Sequence, residues 1–420
     1  MLNKNISVRE KRYFKLAVFP ASLQTGSPVN EAIGTTEDEI RLVNMLREAG
    51  IPVDKVSVLP VSQVEEGTAS PFSTSAFGLN YDYLSLALIP EFQENHLSAL
   101  LSYIRQPSAS GEIDLKKARL QKLTLLLAAS RNFHAKIKNS LALADIQRKN
   151  AYQSFIDSCE ISLDGENYNW LLSNALFYLL QQEMIKRGYR PDFRQWPEEY
   201  RNPKTDAVKK FETANKKEIE DYCYIQFVAH EQQMKTAKAY REAGVKREIN
   251  LPFGCDPCAG AEVWALQGVL FDLRYNVGCY VEPLNGYDEQ NWGMPQYIPG
   301  RVFEDFLRAR YKYLAQYVDS IFIDHLCGFA NKYYFPADEK DKGTKDGKVP
   351  AKGFFEMPLY PTDFTNRADM PLPEGASPEK LHDEEYRHRV RDLMAENVYR
   401  MLKIILEAGL EVDEETMGDP

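Results

Sequence analysis

The sequence predicts an α/β fold of the parallel-barrel type, because short apolar segments alternate along the chain with amphipathic helical segments. Two further patterns support this prediction. Gly50, Gly244 and Gly409 directly follow helical segments, at the position where a helix usually ends. Polar residues such as Asp324 and His325 directly follow apolar segments. Polar side chains at the carboxyl ends of parallel strands are typical of a barrel whose functional site lies at that face.

Five segments have the length and composition of β-strands. Each is apolar over a few residues and is followed by a turn signal; they centre on Leu16, Val56, Ile249, Phe322 and Val412. Helical patterns precede the second to the fifth of them. Strand and helix therefore alternate as in a (β/α)8 TIM barrel, but five strands are too few to close one. We expect an incomplete barrel with two open sheet edges.

The interval after the second predicted strand is long and mostly helical in pattern. It includes the segments LKKARLQKLTLLLAASRNFHAKIKNSLALADIQRKNAYQSFI and NWLLSNALFYLLQQEMIKRG. We expect an inserted helical subdomain at 95–220, between a first part of the barrel at 1–94 and its continuation at 221–420. Two later stretches, PADEKDKGTKDGKVPAKG and TNRADMPLPEGASPEKLHDEEY, are rich in charge, glycine or proline and are predicted to be long connections.

The composition argues against several classes of partner. The chain has 420 residues and a net charge of −10, so we expect no binding to nucleic acid or to anionic membranes. The first twenty residues carry scattered charges and no apolar core of signal-peptide length, and no apolar run reaches the length of a membrane span. Six cysteines spread thinly over the chain are typical of free thiols in a reducing compartment. We therefore predict a cytoplasmic location.

Cys255 and Cys258 form one CxxC pair, in FGCDPCAG. A metal or redox site is indicated more strongly when a second pair or a nearby histidine accompanies such a motif. We interpret the pair as two buried or loop thiols, while a zinc or redox role stays open.

Two acidic residues stand at the ends of the last two predicted strands: Asp324 closes the fourth and Glu415 the fifth. Neighbouring strands lie about 4.8 Å apart, so carboxylates at adjoining strand ends fall near the roughly 5–5.5 Å separation of a retaining glycosidase. In that chemistry one carboxylate attacks the anomeric carbon and the other serves as general acid and base. Alternatively, Asp324 caps the following helix and Glu415 is one of several loop acids. Spacing alone does not decide between these readings.

Several motifs around this pair resemble those of one family. SPFSTSAFGLN resembles its SPY...SAFAGN segment, EQNWGMPQY its GQ-x-WG-x-P-x-Y loop, FIDHLCGFANKYYFPA its segment RIDHFRGFEAYWEIPA, and EETMGD its AEDLG strand end. NWLLSNALF and FRQWPEEYR are similar to its WL-x-x-ALF and W-x-x-WP-x-x-LR elements. These motifs follow the family's order over nearly the whole chain. By them the sequence resembles the 4-alpha-glucanotransferases of glycoside hydrolase family 77, the amylomaltases or disproportionating enzymes.

The resemblance implies a function and a set of site residues. It implies transfer of α-1,4-glucan segments between maltooligosaccharides by a retaining double displacement, without a metal ion or an organic cofactor. Asp324 then corresponds to the nucleophile and Glu415 to the general acid and base. Residues 254–300 would contain a glucan-groove loop. The implied substrate-binding residues are Ser70, Phe72, Asn80, Asn250, Gln290, Trp292 and His325.

Three departures from the family pattern bear on activity. Phe322 stands where the family has an arginine, and it shares a strand face with Asp324 by alternation. Asn250 stands where an aspartate is expected, and the sequence stops at Pro420, before the family's THDN-type element. We therefore expect a C-terminally truncated chain. The alternative function is a catalytically impaired, glucan-binding homologue or fragment of such an enzyme.

Overall fold

The structure is a computed structural model that describes residues 14–23, 31, 33–64, 71–72, 74–91, 115–252, 254–280, 289–337, 353–359 and 377–414. Its strands, numbered in chain order, are β1 (Lys15–Val18), β2 (Lys55–Val58), β3 (Ser62–Val64), β4 (Thr74–Leu79), β5 (Glu160–Leu163), β6 (Glu166–Asn169), β7 (Lys246–Leu251), β8 (Phe271–Cys279), β9 (Gln290–Tyr297), β10 (Ser320–Ile323), β11 (Tyr333–Pro336), β12 (Phe354–Phe355) and β13 (Glu411–Glu414).

The α-helices are α1 (Thr36–Glu48), α2 (Leu115–Asn139), α3 (Leu143–Ser158), α4 (Trp170–Lys186), α5 (Asp206–Ala214), α6 (Lys216–Ala243), α7 (Glu262–Ala265), α8 (Arg301–Leu314), α9 (Cys327–Ala330) and α10 (Glu384–Glu407). Short 3-10 helices lie at Pro20–Ser22, Tyr81–Tyr83, Leu86–Leu88, Phe193–Gln195, Glu198–Tyr200 and Pro378–His382. Among the described residues, no helix combines the length and the apolar composition that crossing a membrane requires.

The central feature is a parallel sheet of five strands in the order β1-β2-β7-β10-β13. Each strand lies in one of the segments predicted from the sequence, and the predicted neighbour relation between successive strands is confirmed. Gly50, Gly244 and Gly409, predicted to end helices, have φ values of 64°, 71° and 82°. In this left-handed region glycine avoids the strain of a side chain, and a helix commonly ends there.

The parallel sheet is strongly curved. The Lys15 ammonium on β1 and the Asp413 carboxylate on β13 are 3.1 Å apart, although their strands are the two outermost of the sheet. In a flat sheet these strands would lie roughly 19 Å apart, at about 4.8 Å per strand, which is beyond the reach of the two side chains. The concave face is therefore lined by side chains that meet across it.

The convex face is mostly apolar and is covered by helices. Val56, Ile249 and Ile321 are fully buried there and belong to the main hydrophobic core. Arg247 on β7 also points to this side and forms a buried ion pair with Glu39 on α1, with Nε–Oε1 and Nη2–Oε2 distances of 2.6 and 2.9 Å. Alternation along the strands thus separates an apolar outer face from a polar inner face.

A second sheet, antiparallel and with the order β12-β11-β8-β9, was not predicted. It places Gln290 and Trp292 on β9, although EQNWGMPQY was expected to be a loop. The loop prediction was wrong for these residues. Gly293 and Pro295 are unfavourable in regular strands, so the sequence indicated a loop where the structure has a strand. The structure accommodates them by register shifts within the β8–β9 pairing and by a left-handed Gly293 at φ 71°.

The interval between β2 and β7 is largely helical, as expected, but it also contains two hairpins. β3 pairs with β4, and β5 pairs with β6 across a turn in which Asp164 and Gly165 have φ values of 50° and 88°. An Asp-Gly pair is a strong signal for such a turn, but this hairpin was not predicted. The long helical pattern after residue 115 is interrupted between α2 and α3. The predicted boundary at 220 falls within α6, and the domain division stays a prediction.

Candidate active site

Asp324 and His325 form the turn that follows β10. The backbone N–H of Asp324 donates to the carbonyl of Leu251 at 3.3 Å, which continues the contact with β7 past the strand end. His325 has a left-handed backbone with φ 63°, which is uncommon for a residue with a side chain. Such conformations cluster at functional sites, where the surrounding structure holds them. The two half-buried side chains therefore lie at the carboxyl end of a strand next to the centre of the sheet.

The antiparallel sheet contributes an aromatic wall to this strand end. The rings of Trp292 and His325 meet edge to face with 4.9 Å between their centroids. Trp292 Nε1 donates to Gln290 Oε1 at 3.2 Å. The structure thus brings together three of the residues that the sequence predicted for substrate binding. An indole and an imidazole beside a carboxylate offer both an apolar surface and hydrogen-bonding groups, as a pyranose ring requires.

Cys327 is a neighbour of the site that was not predicted from the sequence. Its thiol is exposed and lies 3.3 Å from Nδ1 of His325. The spacing His-x-Cys directly after a predicted strand was a usable signal, because a turn can bring such residues to the same side. The thiol is a soft, polarizable group at the edge of the strand end.

The layer beneath Asp324 contains the two departures from the family pattern. Phe322 and Asn250 are cross-strand partners in the β7–β10 register. Lys15 Nζ lies 4.5 Å from the centroid of the Phe322 ring, which places Phe322 on the concave face. Asn250 Oδ1 is buried and has no hydrogen-bond partner within the described part of the chain. An aromatic ring and a neutral amide therefore stand side by side below Asp324.

A cluster of charged and polar side chains lies on the concave face beside and below Phe322 and Asn250; we call it the inner cluster, and it consists of Lys15, Lys55, Glu248, Ser320 and Asp413, the last of which is the register partner of Phe322. Lys55 Nζ lies 3.0 Å from Glu248 Oε2, 3.0 Å from Asp413 Oδ2 and 2.9 Å from Ser320 Oγ. Lys15 Nζ also lies 2.5 Å from Glu248 Oε1.

The inner cluster lies at the amino-terminal side of Asp324, and sequence reasoning missed it. Desolvation by burial opposes the charge of Asp413, but its contacts with Glu248, Lys55 and Lys15 outweigh this and lower the pKa of the Asp413 carboxyl to about 2. At least one polar residue on the same face of each parallel strand, by period-two alternation, was a usable signal for such a polar inner face.

Phe72 and Asn80 lie at the two ends of the segment that contains β4. Asn80 is buried, and its Oδ1 accepts a hydrogen bond from the backbone N–H of Asp82 at 2.9 Å. Phe72 is half-buried. The backbone N–H of Asp256 donates to the carbonyl of Thr74 at 3.1 Å, so the segment contacts the loop that follows β7.

Two predicted site residues, Ser70 and Glu415, lie outside the described residues. The last described residue of β13, Glu414, pairs with Ile323, the residue before Asp324. The strand that leads to Glu415 therefore runs beside the strand that leads to Asp324, in parallel and in register. The separation of the two carboxylates stays a prediction. The predicted connection PADEKDKGTKDGKVPAKG also falls almost entirely outside the described residues.

Cys255 of the CxxC pair is a buried thiol. Its Sγ lies 3.3 Å from the Tyr297 hydroxyl, and burial raises the pKa of the thiol to about 12. It is therefore protonated at neutral pH, as expected for a structural thiol rather than a reactive one. Within the described residues, no group of three or more histidine, cysteine or acidic side chains is arranged to hold a metal ion.

The fold and the site define an α/β barrel-type protein with a carboxylate and an aromatic wall at the carboxyl end of its parallel strands. Comparison with known proteins gives the family. The family model described as 4-alpha-glucanotransferase, glycoside hydrolase family 77, matches residues 19–395, and the chain belongs to this family.

The chain is similar to curated 4-alpha-glucanotransferases of three bacteria. It is 22% identical to that of Chlamydia muridarum over 349 residues, which are 82% of this chain and 60% of the relative. It is 24% identical to those of Synechocystis and Aquifex aeolicus, over 83% and 80% of this chain and 65% and 64% of the relatives. The chain therefore spans between 60% and 65% of the length of these relatives.

Two solved amylomaltases share the fold. The structure matches the Streptococcus agalactiae amylomaltase in complex with acarbose with a TM-score of 0.69 at 16% identity, covering 98% of this chain and 70% of that one. It matches the Corynebacterium glutamicum amylomaltase with a TM-score of 0.61 at 17% identity, covering 97% of this chain and 48% of that one. The likeness shows an α/β barrel-type fold.

Proposed function

We propose that this chain is a 4-alpha-glucanotransferase, in which Asp324 is the nucleophile and Glu415 the general acid and base, and that it transfers α-1,4-glucan segments between maltooligosaccharides by a retaining double displacement. The observation that carries the proposal is the position of Asp324, which follows an inner strand of the parallel sheet and directly precedes His325, whose ring meets that of Trp292. Membership of the family supports the substrate class and the reaction.

In the first step, the Asp324 carboxylate attacks the anomeric carbon of the donor glucan. The glycosidic bond breaks, and the leaving oxygen takes a proton from the Glu415 carboxyl. The product of this step is a glucosyl ester on Asp324. In the second step, the Glu415 carboxylate removes the proton from an acceptor hydroxyl, whose oxygen attacks the same carbon and releases Asp324. Two inversions at one carbon retain its configuration.

Trp292, His325 and Gln290 would bind the sugar that reacts. The indole offers a face for the C–H surface of a pyranose, and the Gln290 amide, 3.2 Å from the indole nitrogen, has hydrogen-bonding capacity for hydroxyl groups. Phe72, Asn80, Asn250 and Ser70 would complete the groove. Transfer, as opposed to hydrolysis, requires that an acceptor hydroxyl reach the covalent intermediate before water, which a groove closed on both sides favours.

The finer architecture follows from the same proposal. The curved sheet of five parallel strands would be part of a (β/α)8 barrel, in which α2 to α5 form a helical insertion. The proposed divisions are those predicted at 1–94, 95–220 and 221–420. A cytoplasmic location fits a soluble α-glucan substrate.

A catalytically impaired, glucan-binding homologue is the second candidate function. Phe322 and Asn250 favour it, because these two departures are cross-strand partners directly below Asp324. An aromatic ring cannot stabilise an ionised carboxylate as a guanidinium can. In this case the groove would bind glucans and the covalent step would be slow.

Disproportionation of maltotriose by the 420-residue chain tests the proposal, with an Asp324→Asn variant beside it. We expect glucose and longer maltooligosaccharides from the unaltered chain and at least a thousandfold lower rate from Asp324→Asn, since loss of a nucleophile typically removes several orders of magnitude. The matched control is Asp319→Asn, which changes the same residue type just before the start of β10, where Asp319 accepts from the Arg247 N–H at 3.1 Å. Maltotriose binding without turnover would support the second candidate function. If the chain neither bound nor converted maltotriose, both candidate functions would be contradicted.

A further inference from the structure

β4 is held in place largely by side chains. It pairs with the short strand β3 at two register positions, Ser62 with Leu79 and Val64 with Thr74, with an irregularity between them. All six of its residues are buried. Buried backbone N–H groups must find acceptors, and those of residues 76–79 donate to side-chain oxygens.

Glu262 supplies the acceptor for two of these four N–H groups. Its Oε1 accepts from Ser75 Oγ at 2.7 Å, from the Ala76 N–H at 3.1 Å and from the Phe77 N–H at 3.3 Å. The side chain is fully buried, and in the described part of the chain its Oε2 has no hydrogen-bond partner. Burying a carboxyl group costs free energy. Pairing β4 with another strand would satisfy the same N–H groups without this cost.

The backbone around Glu262 is shaped to bring the carboxyl group close to β4. A Cβ on Gly260 would lie 2.4 Å from Glu262 Oε2 and 2.6 Å from Ser75 Oγ, so only glycine leaves room for the contact. The same loop reaches β4 a second time through the Asp256 N–H and the Thr74 carbonyl. Glu262 and Gly260 thus form a tightly packed junction between the 254–262 loop and the segment that contains β4.

This junction connects the two segments that the proposed function assigns to the walls of the groove. β4 is flanked by Phe72 and Asn80. On its other side, the 254–262 loop touches β9, where Cys255 Sγ lies 3.3 Å from the Tyr297 hydroxyl. β9 carries Trp292. A shift of Glu262 would therefore change the position of one wall relative to the other.

We propose that Glu262 is a positioning residue that holds the segment 71–80 against the 254–262 loop and thereby sets the glucan groove. This inference rests on the proposed function for the nature of the ligand. Glu262 contacts β4 and not the reacting atoms, so we expect its substitution to change the affinity for the glucan.

The test measures amide hydrogen exchange of residues 76–79 and calorimetric affinity for maltoheptaose in the 420-residue chain. Glu262→Ala removes the acceptor; we expect at least tenfold faster exchange at residues 76 and 77 and about tenfold weaker binding, the factor that corresponds to about 1.4 kcal/mol. Glu262→Gln keeps one carbonyl oxygen and is expected to restore most of the affinity. Gly260→Ala leaves the carboxyl group intact but displaces it and should resemble Glu262→Ala.

The matched control is Glu31→Ala. Glu31 is another buried acid, accepts from the Leu86 N–H at 2.8 Å and pairs with Lys122 at 3.0 Å, outside the segment 71–80. We expect this variant to lose stability while its affinity changes by less than about twofold, since its contacts lie elsewhere. Faster exchange in Glu262→Ala with unchanged affinity would overturn the positioning role. If the unaltered chain does not bind maltoheptaose, the proposed function fails, whereas unchanged exchange in Glu262→Ala refutes the positioning role by itself.

Discussion

At the scale of single residues, the most informative pair is Phe322 and Asn250. The sequence showed each as a separate departure from the family pattern, and the structure shows that they are cross-strand partners on the face that leads to Asp324. Lys15 Nζ lies 4.5 Å from the Phe322 ring, so a cation already occupies the space beside this position. The two departures thus form one local change, in which an aromatic residue and an amide stand together.

This pairing predicts strong coupling between substitutions at the two positions. Phe322→Arg alone places a second cation near Lys15, between the neutral Asn250 amide and the Asp413 carboxylate that Lys15 and Lys55 already share, and we expect a loss of about 1–3 kcal/mol in the free energy of unfolding. Adding Asn250→Asp supplies a counter-ion to the arginine and should restore at least about 1 kcal/mol. Urea unfolding of the two single variants and the double variant gives the coupling energy. A coupling energy near zero would show that the two side chains do not interact.

At the scale of elements, glycines define where helices end and strands of the parallel sheet begin. α6 ends at Gly244, whose φ is 71°, and β7 starts two residues later. A Cβ at Gly244 would meet no atom within 4 Å. Glycine is therefore favoured at this position by the backbone conformation and not by crowding from neighbouring atoms. The end of α6 sets where β7 enters the sheet and hence the register of Asn250.

Gly244→Ala is therefore expected to lower the free energy of unfolding by about 1 kcal/mol, the cost of a left-handed alanine. Gly244→Asn should cost less, because asparagine tolerates this conformation better. Thermal unfolding of the two variants checks the order. Equal losses, or a larger loss in Gly244→Asn, would contradict the explanation by backbone conformation.

At the scale of the whole molecule, the inner cluster joins all the strands of the parallel sheet. Each strand contributes one of its members: Lys15 from β1, Lys55 from β2, Glu248 from β7, Ser320 from β10 and Asp413 from β13. Lys55 and Glu248 are buried, so their charges depend on one another for compensation. The cluster spans the sheet from edge to edge and helps to keep it curved.

The cluster also predicts how stability depends on pH. The Asp413 carboxyl has a folded-state pKa of about 2 against an ordinary value of 3.8, so the unfolded chain binds its proton first as the pH falls. Its contribution is present above pH 4 and is lost between about pH 4 and pH 2. Asp413→Asn should reduce the dependence of the free energy of unfolding on pH in this range. Asp206→Asn, which changes an exposed carboxylate at the start of α5, is the control; equal pH dependence in all three proteins would contradict the prediction.

The sequence by itself determined the elements of the parallel sheet, the helix ends at Gly50, Gly244 and Gly409, and the position of Asp324 at a strand end. These features depend on local periodicity and on backbone preference, which neighbouring residues specify. Only the tertiary structure decided that Trp292 lies on a strand and meets His325, that Phe322 pairs with Asn250, and that Glu262 holds β4. Such contacts join segments that are distant along the chain, and the register and curvature of the sheets determine them, which no local pattern encodes.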